Sequence, residues 1–113
     1  MKRRDDLVCL KDMLSHSLEA VEILGDMGRE DLARSRVMQL ALTRLVEIVG
    51  EAANRVPDSM RQTCPAVPWL QIIGMRNRLV HGYDVIDYDL LWNTITCDLP
   101  PLIAQLESIL AGK

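Results

Sequence analysis

The sequence contains no phenylalanine, and aromatic residues make up only 4% of its 113 residues. Hydrophobic residues nevertheless account for 49%, so Leu, Ile, Val, Ala and Met must build the core. Most of these are good helix formers, which favours an all-α protein. A chain of this length suits one compact domain, and we expect residues 1–113 to form a single helical domain.

Cysteine pairs at short spacing are also missing. Cys9, Cys64 and Cys97 lie far apart, and no C-x-x-C sequence occurs. An odd number of separated cysteines is typical of buried free thiols in a reducing compartment. A zinc site that combined them with His16 or His81 would need ligand spacings that do not recur here. We therefore expect no metal and no cofactor.

No apolar run approaches the ~20 residues of a membrane helix. The charged start, MKRRDDLVCLKDML, is not followed by the apolar segment of a signal peptide. These features predict a cytoplasmic protein with no membrane partner. The net charge of −3 also differs from that of a generic nucleic-acid coat protein, which is usually basic throughout. Contact with RNA would therefore need a local basic patch.

Apolar residues at three- and four-residue spacing predict four main helices. We expect these helices over residues 5–26, over residues 31–56 with Asp31 as N-cap, over residues 68–81, and after the N-cap Asp87. Residues 58–64, which lie between Pro57 and Pro65, are expected to form a short helical turn.

Glycine and proline refine this outline. Gly50 falls inside the second helix, where glycine costs ~1 kcal/mol relative to alanine, and such a glycine often lets another backbone come close. Gly82 is expected to stop the third helix. Pro100 and Pro101 should kink the last helix or split it in two. The predicted fold is all-α: an antiparallel bundle of four main helices plus a short helical turn, with the last helix kinked at Pro100–Pro101.

One segment of this acidic chain has no carboxylate. Residues 59–83 contain Arg61, Arg76 and Arg78 but no Asp or Glu, whereas residues 84–98 contain four aspartates and no Lys or Arg. A local basic patch of this kind is what a phosphate-binding site requires in an acidic protein.

The stretch GMRNRLVHGYD, residues 74–84, joins two of these arginines to an imidazole and a phenol. His81 is expected at the carbonyl end of its helix, which stabilises a cation by about 0.3–1 kcal/mol, and it is a candidate general acid or base. Arg76 could bind a phosphate through two parallel hydrogen bonds. Asn77 would share a helix face with His81, and Tyr83 could direct its hydroxyl to the same place.

Each of these residues also has a structural interpretation. A single histidine is more often a surface residue or a hydrogen-bonded core residue than a catalyst. An arginine at a helix end is usually solvated or in a salt bridge. Asn77 could simply cap or link helices, and the hydroxyl of Tyr83 could anchor the turn. Spacing alone leaves both sets of interpretations open.

The segment RNRLVHGY matches the R-x4-H-x-Y pattern of the HepT-like toxins, which are small helical ribonucleases of the HEPN superfamily. Three blocks extend the resemblance over nearly the whole chain: LVEIVGEAANRVP (residues 45–57), VPWLQIIGMRNRLVHGYDVID (67–87) and LLWNTITCDLPPL (90–102). The short motif alone is a weak signal, but the three blocks in this order are quite specific.

This resemblance implies a metal-independent RNA endonuclease that acts as the toxin of a type II toxin–antitoxin system. Members are usually homodimers in which two copies of the motif face each other across a cleft. Arg76 and His81 would be the catalytic pair, with Asn77 as a supporting polar residue. The partner would be a minimal, MntA-like nucleotidyltransferase antitoxin, which transfers AMP onto the tyrosine of the motif, here Tyr83.

RNA chemistry agrees with that assignment. Attack of a 2′-OH on the adjacent phosphate needs a base, an acid and positive charge near the phosphorane, and a dimer supplies two copies of His81. The need for a 2′-OH predicts a preference for RNA over DNA. Arg61 and Arg78 would then be RNA-binding residues.

Three further residues have a functional and a structural interpretation. Glu51 could pair with Arg76 and orient it, although a solvated helix carboxylate is commoner. Trp69 could stack on a base, but it is more often a core anchor, and His16 is more often a surface residue. Two other functions stay open: a non-catalytic, nucleotide-presenting adaptor for a nucleotidyltransferase, and a purely structural homodimer.

Overall fold

Helices account for most of the chain. The computed structural model describes residues 2–82 and 85–112, with side chains from residue 5 onward. In chain order the helices are α1 (Lys2–Leu24), α2 (Arg29–Ala33), α3 (Arg36–Arg55), α4 (Asp58–Gln62), α5 (Trp69–Ile73), α6 (Met75–Leu79), α7 (Tyr88–Asn93), a π-helical segment (Thr94–Asp98) and α8 (Leu99–Ala111). Two short strands, β1 (Val80–His81) and β2 (Val85–Ile86), pair between α6 and α7. The predicted all-α class is confirmed.

The helices α1 and α3 run antiparallel and form the centre of the core. Cys9, near the start of α1, borders the same small cavity as Ala52 and Arg55, near the end of α3. The spacing predicts an apolar stripe on the second helix, and all its members are buried except Met38 and Ala41: Leu42, Leu45, Val49, Ala52 and Val56. On α1 the spacing predicts Leu7, Leu10, Leu14, Val21 and Leu24, but only Leu10 and Leu24 of these are fully buried, and Met13 and Ala20 join them. On the last helix the predicted residues Leu91, Ile95, Leu99, Leu102 and Leu106 are buried, whereas Ile109 is only partly buried.

The helix predicted over residues 31–56 is divided, and Asp31 is not its N-cap. Asp31 lies inside α2, where its carboxylate accepts the N–H of Gly28 at 3.1 Å. The N-cap of α3 is Ser35, whose Oγ accepts an N–H at 3.2 Å. The buried side chain of Gln39 donates to the Leu32 carbonyl at 2.9 Å. This bond satisfies a carbonyl at the end of α2 and stabilises the break.

The helix predicted over residues 68–81 is also divided. Gly74 separates α5 from α6, and α6 ends at Leu79. Because Val80 and His81 pair with β2, they leave the helical ladder. Gly82 has a φ of +71°, which glycine adopts at little cost. It therefore belongs to the hairpin turn and does not stop a helix.

The predicted short turn occurs, whereas the last helix changes its geometry before the predicted position at Pro100–Pro101. The turn is α4. The last helix is divided by the π-helical segment, in which the Leu99 N–H donates to the Thr94 carbonyl, five residues earlier. Pro100 and Pro101 follow in the first turn of α8, where a missing N–H costs least.

The three cysteines are free and differ in exposure. Cys64 is buried, Cys9 is half-buried and Cys97 is exposed, so the expectation of buried thiols is wrong for Cys97. Burial, followed by the nearby carboxylate of Asp12, raises the pKa of the Cys9 thiol. Among residues 2–82 and 85–112, no three potential metal ligands cluster. No helix in those ranges combines the length and the hydropathy needed to cross a bilayer.

Gly50 allows α5 to pack directly on α3. A Cβ atom added at Gly50 would lie 3.1 Å from the Ile72 carbonyl oxygen and 3.5 Å from that of Ile73. The predicted close approach of another backbone is therefore confirmed. Because α6 follows α5 after one residue, this contact also sets the distance of α6 from α3.

We expect Gly50→Leu to lower the free energy of unfolding by ~1–3 kcal/mol, because the added side chain must push α5 away from α3. Urea unfolding followed by circular dichroism measures this change. Gly112→Leu is the matched control, since its Cβ would meet no atom closer than 3.7 Å, and it should change stability by less than ~0.5 kcal/mol. Equal effects of the two variants would contradict the packing described here.

Candidate active site

Arg76 reaches from α6 to α3. Its Nε donates to Oε2 of Glu47 at 2.6 Å. The side chain of Glu47 is 20% exposed and that of Arg76 is 54% exposed, so a sheltered carboxylate holds a surface guanidinium. Glu47 is not among the site residues that the sequence predicts. The only sequence signal for it is that Glu47 lies four residues before Glu51 and so shares its face of α3.

The structure corrects the expected pairing of Glu51 with Arg76. Glu51 instead pairs with Arg44 at 3.5 Å, and Arg44 also lies 3.4 Å from Oε1 of Glu47. Arg76 meets the helical turn of α3 that carries Glu47, one turn before Glu51. The carboxylate that can orient Arg76 is therefore Glu47.

A cleft of about 190 Å³ lies between α3 and α6. Its lining residues are Glu47, Gly50, Glu51, Asn54, Ile73, Arg76 and Asn77. Arg76 and its sequence neighbour Asn77 line this cleft, whereas His81, the predicted catalytic partner of Arg76, does not. The cleft has room for a small polar group next to the guanidinium.

His81 lies on β1, beside the start of α7. Its side chain is 62% exposed, and its Nε2 is 3.8 Å from Oδ2 of Asp87. The other oxygen of Asp87 accepts the Leu90 N–H at 3.0 Å, which confirms Asp87 as the N-cap of α7. One carboxylate therefore caps a helix and stands next to the imidazole.

This arrangement corrects two expectations about His81. Because α6 ends at Leu79, His81 is not at the carbonyl end of a helix, and the predicted helix-dipole stabilisation does not apply. Asn77 and His81 likewise do not share a helix face, because they lie on different elements. The negative charge near the imidazole comes from Asp87, a partner that the sequence-based analysis did not identify.

The position of Asp87 is supported by contacts between α2 and α7. The guanidinium of Arg29 lies over the ring of Trp92 at 4.8 Å and donates to Asn93 at 3.2 Å. The indole N–H of Trp92 donates to the Met27 carbonyl at 3.4 Å. These contacts hold α7, and with it the N-cap carboxylate, against the rest of the bundle.

The two remaining arginines of the basic segment, Arg61 and Arg78, differ in how far their guanidinium groups are exposed to solvent. Arg78 is exposed and donates to the Gln71 carbonyl at 3.0 Å. Arg61 is mostly buried, and its guanidinium donates to the carbonyls of Val56 at 2.8 Å and Asn54 at 3.2 Å. These bonds cap the end of α3 and engage the guanidinium of Arg61, which argues against RNA binding by Arg61. Arg78, which is exposed, stays a candidate RNA-binding residue.

Three other candidates are placed as follows. Trp69 is 9% exposed and its indole N–H donates to the Cys64 carbonyl at 3.1 Å, which supports the core interpretation over base stacking. His16 is half-buried on α1, where Nδ1 lies 2.7 Å from the Asp12 carbonyl. Tyr83, the predicted site of modification, lies outside the described residues.

Comparisons with known proteins identify the family. The family described as "Ribonuclease HepT-like" matches residues 13–109. "Putative RNase MJ1380" of Methanocaldococcus jannaschii is 32% identical over 109 residues, which cover 96% of this chain and 100% of the relative. "Probable ribonuclease HepT" of Thermococcus cleftensis is 33% identical over 103 residues, covering 88% and 94%. "Putative RNase TTE0752" of Caldanaerobacter subterraneus is 36% identical over 101 residues, which cover 86% of this chain and 90% of the relative.

No solved structure matches significantly. The match across 13–109 and these nearly full-length relatives show that the chain belongs to the HepT-like ribonuclease family.

Proposed function

We propose that this ribonuclease is a metal-independent RNA endonuclease in which Arg76 and His81 are the catalytic pair. The observation that carries the proposal is that both side chains are exposed, at 54% and 62%, and that each stands beside a carboxylate, Glu47 or Asp87. An exposed cation and an exposed imidazole, each with an orienting partner, are what phosphodiester cleavage by proton transfer requires.

The proposed reaction begins when the imidazole of His81 removes the proton of a ribose 2′-OH. The 2′-oxygen attacks the adjacent phosphorus, and the terminal nitrogens of Arg76 stabilise the charge on the phosphorane oxygens. The bond to the 5′-oxygen then breaks, and an acid protonates that oxygen. The products are a 2′,3′-cyclic phosphate and a 5′-OH. Arg78 and Asn77 would contact the RNA beside the reacting phosphate.

A homodimer supplies the base and the acid together. The chain has two histidines, and His16 hydrogen-bonds within α1, which leaves His81 as the candidate. Arg76 is held by α3, whereas His81 is held at the start of α7. Two protomers with facing motifs would place two imidazoles at one phosphate, one as base and one as acid.

We also propose that this activity takes place in the cytoplasm, since free cysteines fit a reducing compartment.

Purified protein should cleave single-stranded RNA in the presence of EDTA and leave 2′,3′-cyclic phosphate ends. Arg76→Ala and His81→Ala should each lose at least ~100-fold in rate, because each removes a group that acts in the transition state. Gel electrophoresis and mass spectrometry of the products measure both effects.

His16→Ala is the matched control and should keep its activity. A DNA oligonucleotide of the same sequence, which lacks the 2′-OH, should stay intact. If the wild-type protein does not cleave RNA in EDTA, the proposal fails and the adaptor interpretation gains support.

Two variants of Asp87 separate its helix-capping role from its effect on His81. Asp87→Asn should keep the thermal stability near wild type, because asparagine is an equally good N-cap. Its cleavage rate should fall by about tenfold, because the charge that orients the imidazolium is lost. Asp87→Ala should lose activity and also about 1 kcal/mol of stability. An Asp87→Asn variant with full activity would show that the carboxylate only caps α7.

We further propose that the protein is the toxin of a toxin–antitoxin system and that an MntA-like nucleotidyltransferase neutralises it. The hydroxyl oxygen of Tyr83 would attack the α-phosphate of ATP and release pyrophosphate, which leaves AMP on the ring. The added bulk and negative charge, two residues from His81, would exclude RNA by blockage and by repulsion.

Co-expression with an MntA-like nucleotidyltransferase should add AMP to Tyr83, and mass spectrometry of peptides measures the addition. Tyr83→Phe should stay unmodified and should resist neutralisation. Tyr88→Phe, which changes the other tyrosine of the chain, is the control and should be modified and silenced normally. AMP on Tyr88, or on no tyrosine, would contradict this part of the proposal.

A further inference from the structure

Glu47 connects two arginines at the edge of the proposed site. Its Oε2 accepts the N–H of Arg76 Nε at 2.6 Å, and its Oε1 lies 3.4 Å from Nη1 of Arg44. The Glu47 side chain is 20% exposed, whereas the side chains of Arg44 and Arg76 are 59% and 54% exposed. The carboxylate is thus the sheltered member of the group, and the two cations extend from it toward solvent.

The contact with Nε leaves the phosphate-binding end of Arg76 available. Nε is the inner nitrogen of the guanidinium, and a hydrogen bond to it fixes the plane of the group. Within residues 2–82 and 85–112, no hydrogen bond or ion pair engages the terminal nitrogens Nη1 and Nη2 of Arg76. These two nitrogens form the fork that binds two phosphate oxygens in parallel. Glu47 and a phosphate can therefore bind the same guanidinium without competing for an N–H group.

Both ends of the Glu47–Arg76 pair are held by closely packed backbone. Glu47 precedes Gly50 by one helical turn of α3, and Arg76 follows Ile73 by three residues. The backbone at Ile72 and Ile73 is the part that packs against Gly50. The pair therefore joins two helices whose separation is already fixed.

We propose that Glu47 is a positioning residue for Arg76. This inference rests on the proposed function, in which Arg76 stabilises the phosphorane. A free arginine side chain has many rotamers, and ordering it upon substrate binding is entropically unfavourable. Glu47 orders Arg76 before RNA arrives and directs its terminal nitrogens to the position where phosphate charge develops. Small displacements of such groups reduce rates strongly.

The test measures kcat and KM of Glu47 variants on a mixed-sequence RNA oligonucleotide that carries a fluorophore and a quencher. Glu47→Ala should lower kcat/KM by about 10- to 100-fold, mainly through kcat. Glu47→Gln should lose less than about tenfold, because the amide oxygen still accepts the Nε–H. This partial rescue separates a hydrogen-bonding role from a simple need for negative charge.

Two comparisons control for general effects of removing a carboxylate. Asp58→Ala removes the partner of Arg61, 3.6 Å away and outside the site, and should stay within about twofold of wild type. Glu51→Ala removes the neighbouring carboxylate that pairs with Arg44, and its loss should be clearly smaller than that of Glu47→Ala. Equal losses at Glu47 and Glu51 would overturn the inference.

The variant Arg76→Ala separates this inference from the proposed function. If Arg76→Ala is inactive but Glu47→Ala behaves like Asp58→Ala, the positioning role is wrong and the ribonuclease mechanism stands. If Arg76→Ala remains fully active, both proposals fail.

A double variant covers the case in which Glu47→Ala lowers stability. Its readout is the residual cleavage rate under single-turnover conditions with excess enzyme. In the Arg76→Ala background, Glu47→Ala should cause no further loss of this rate, because Glu47 acts through Arg76. A further loss there would show that Glu47 acts on the fold, and would overturn the inference.

Discussion

The contact between the backbone of α5 and Gly50 of α3 determines where the candidate site lies. The absence of a side chain at Gly50 lets the carbonyl of Ile72 approach the axis of α3 closely, so α5 rests directly on α3, and α6, which follows α5 after one residue, faces α3 across the small cleft. Interiors packed at this density resist small displacements. Arg76 therefore meets the same turn of α3 each time the chain folds, and that turn carries Glu47.

The second half of the site depends on different contacts. His81 belongs to a two-stranded hairpin, and its neighbour Asp87 belongs to the first turn of α7. The helix α7 is held against α2 by the contacts of Arg29 with Trp92 and Asn93. The guanidinium and the imidazole are thus oriented independently within one protomer. In the proposed dimer the active site would draw on both supports, because each supplies a side chain beside a carboxylate partner.

The long helices could be predicted from the sequence because burial repeats over several turns. The stripe from Leu91 to Ile109 is an example, since all its predicted members are buried except Ile109, which is partly buried. The short elements could not be predicted in this way, since distant partners define them. The break before α3 depends on the side chain of Gln39 reaching the end of α2. The end of α6 depends on pairing between β1 and β2, which removes His81 from the predicted helix.

The sequence predicted which residues belong to the candidate site, but it did not predict which carboxylates pair with them. Arg76, Asn77 and His81 were identified from the motif, while their carboxylate partners were not. Glu47 and Glu51 share one face of α3, so helical periodicity cannot choose between them. Arg61 lies in the same basic segment as Arg76, yet the nearby end of α3 binds its guanidinium. Only the packing of the helices distinguishes an arginine that caps a helix from one that faces solvent.

Asp87 connects the integrity of a helix to the chemistry of the neighbouring imidazole. One of its oxygens closes the first turn of α7 and the other faces His81. Fraying of that turn would therefore move the carboxylate away from the ring in the same event. Local opening at helix ends costs much less free energy than global unfolding. The fraction of molecules with an intact first turn in α7 would then set the fraction in which Asp87 stands beside the imidazole, so that heat or denaturant would diminish the proposed RNA cleavage well before the bundle itself melts.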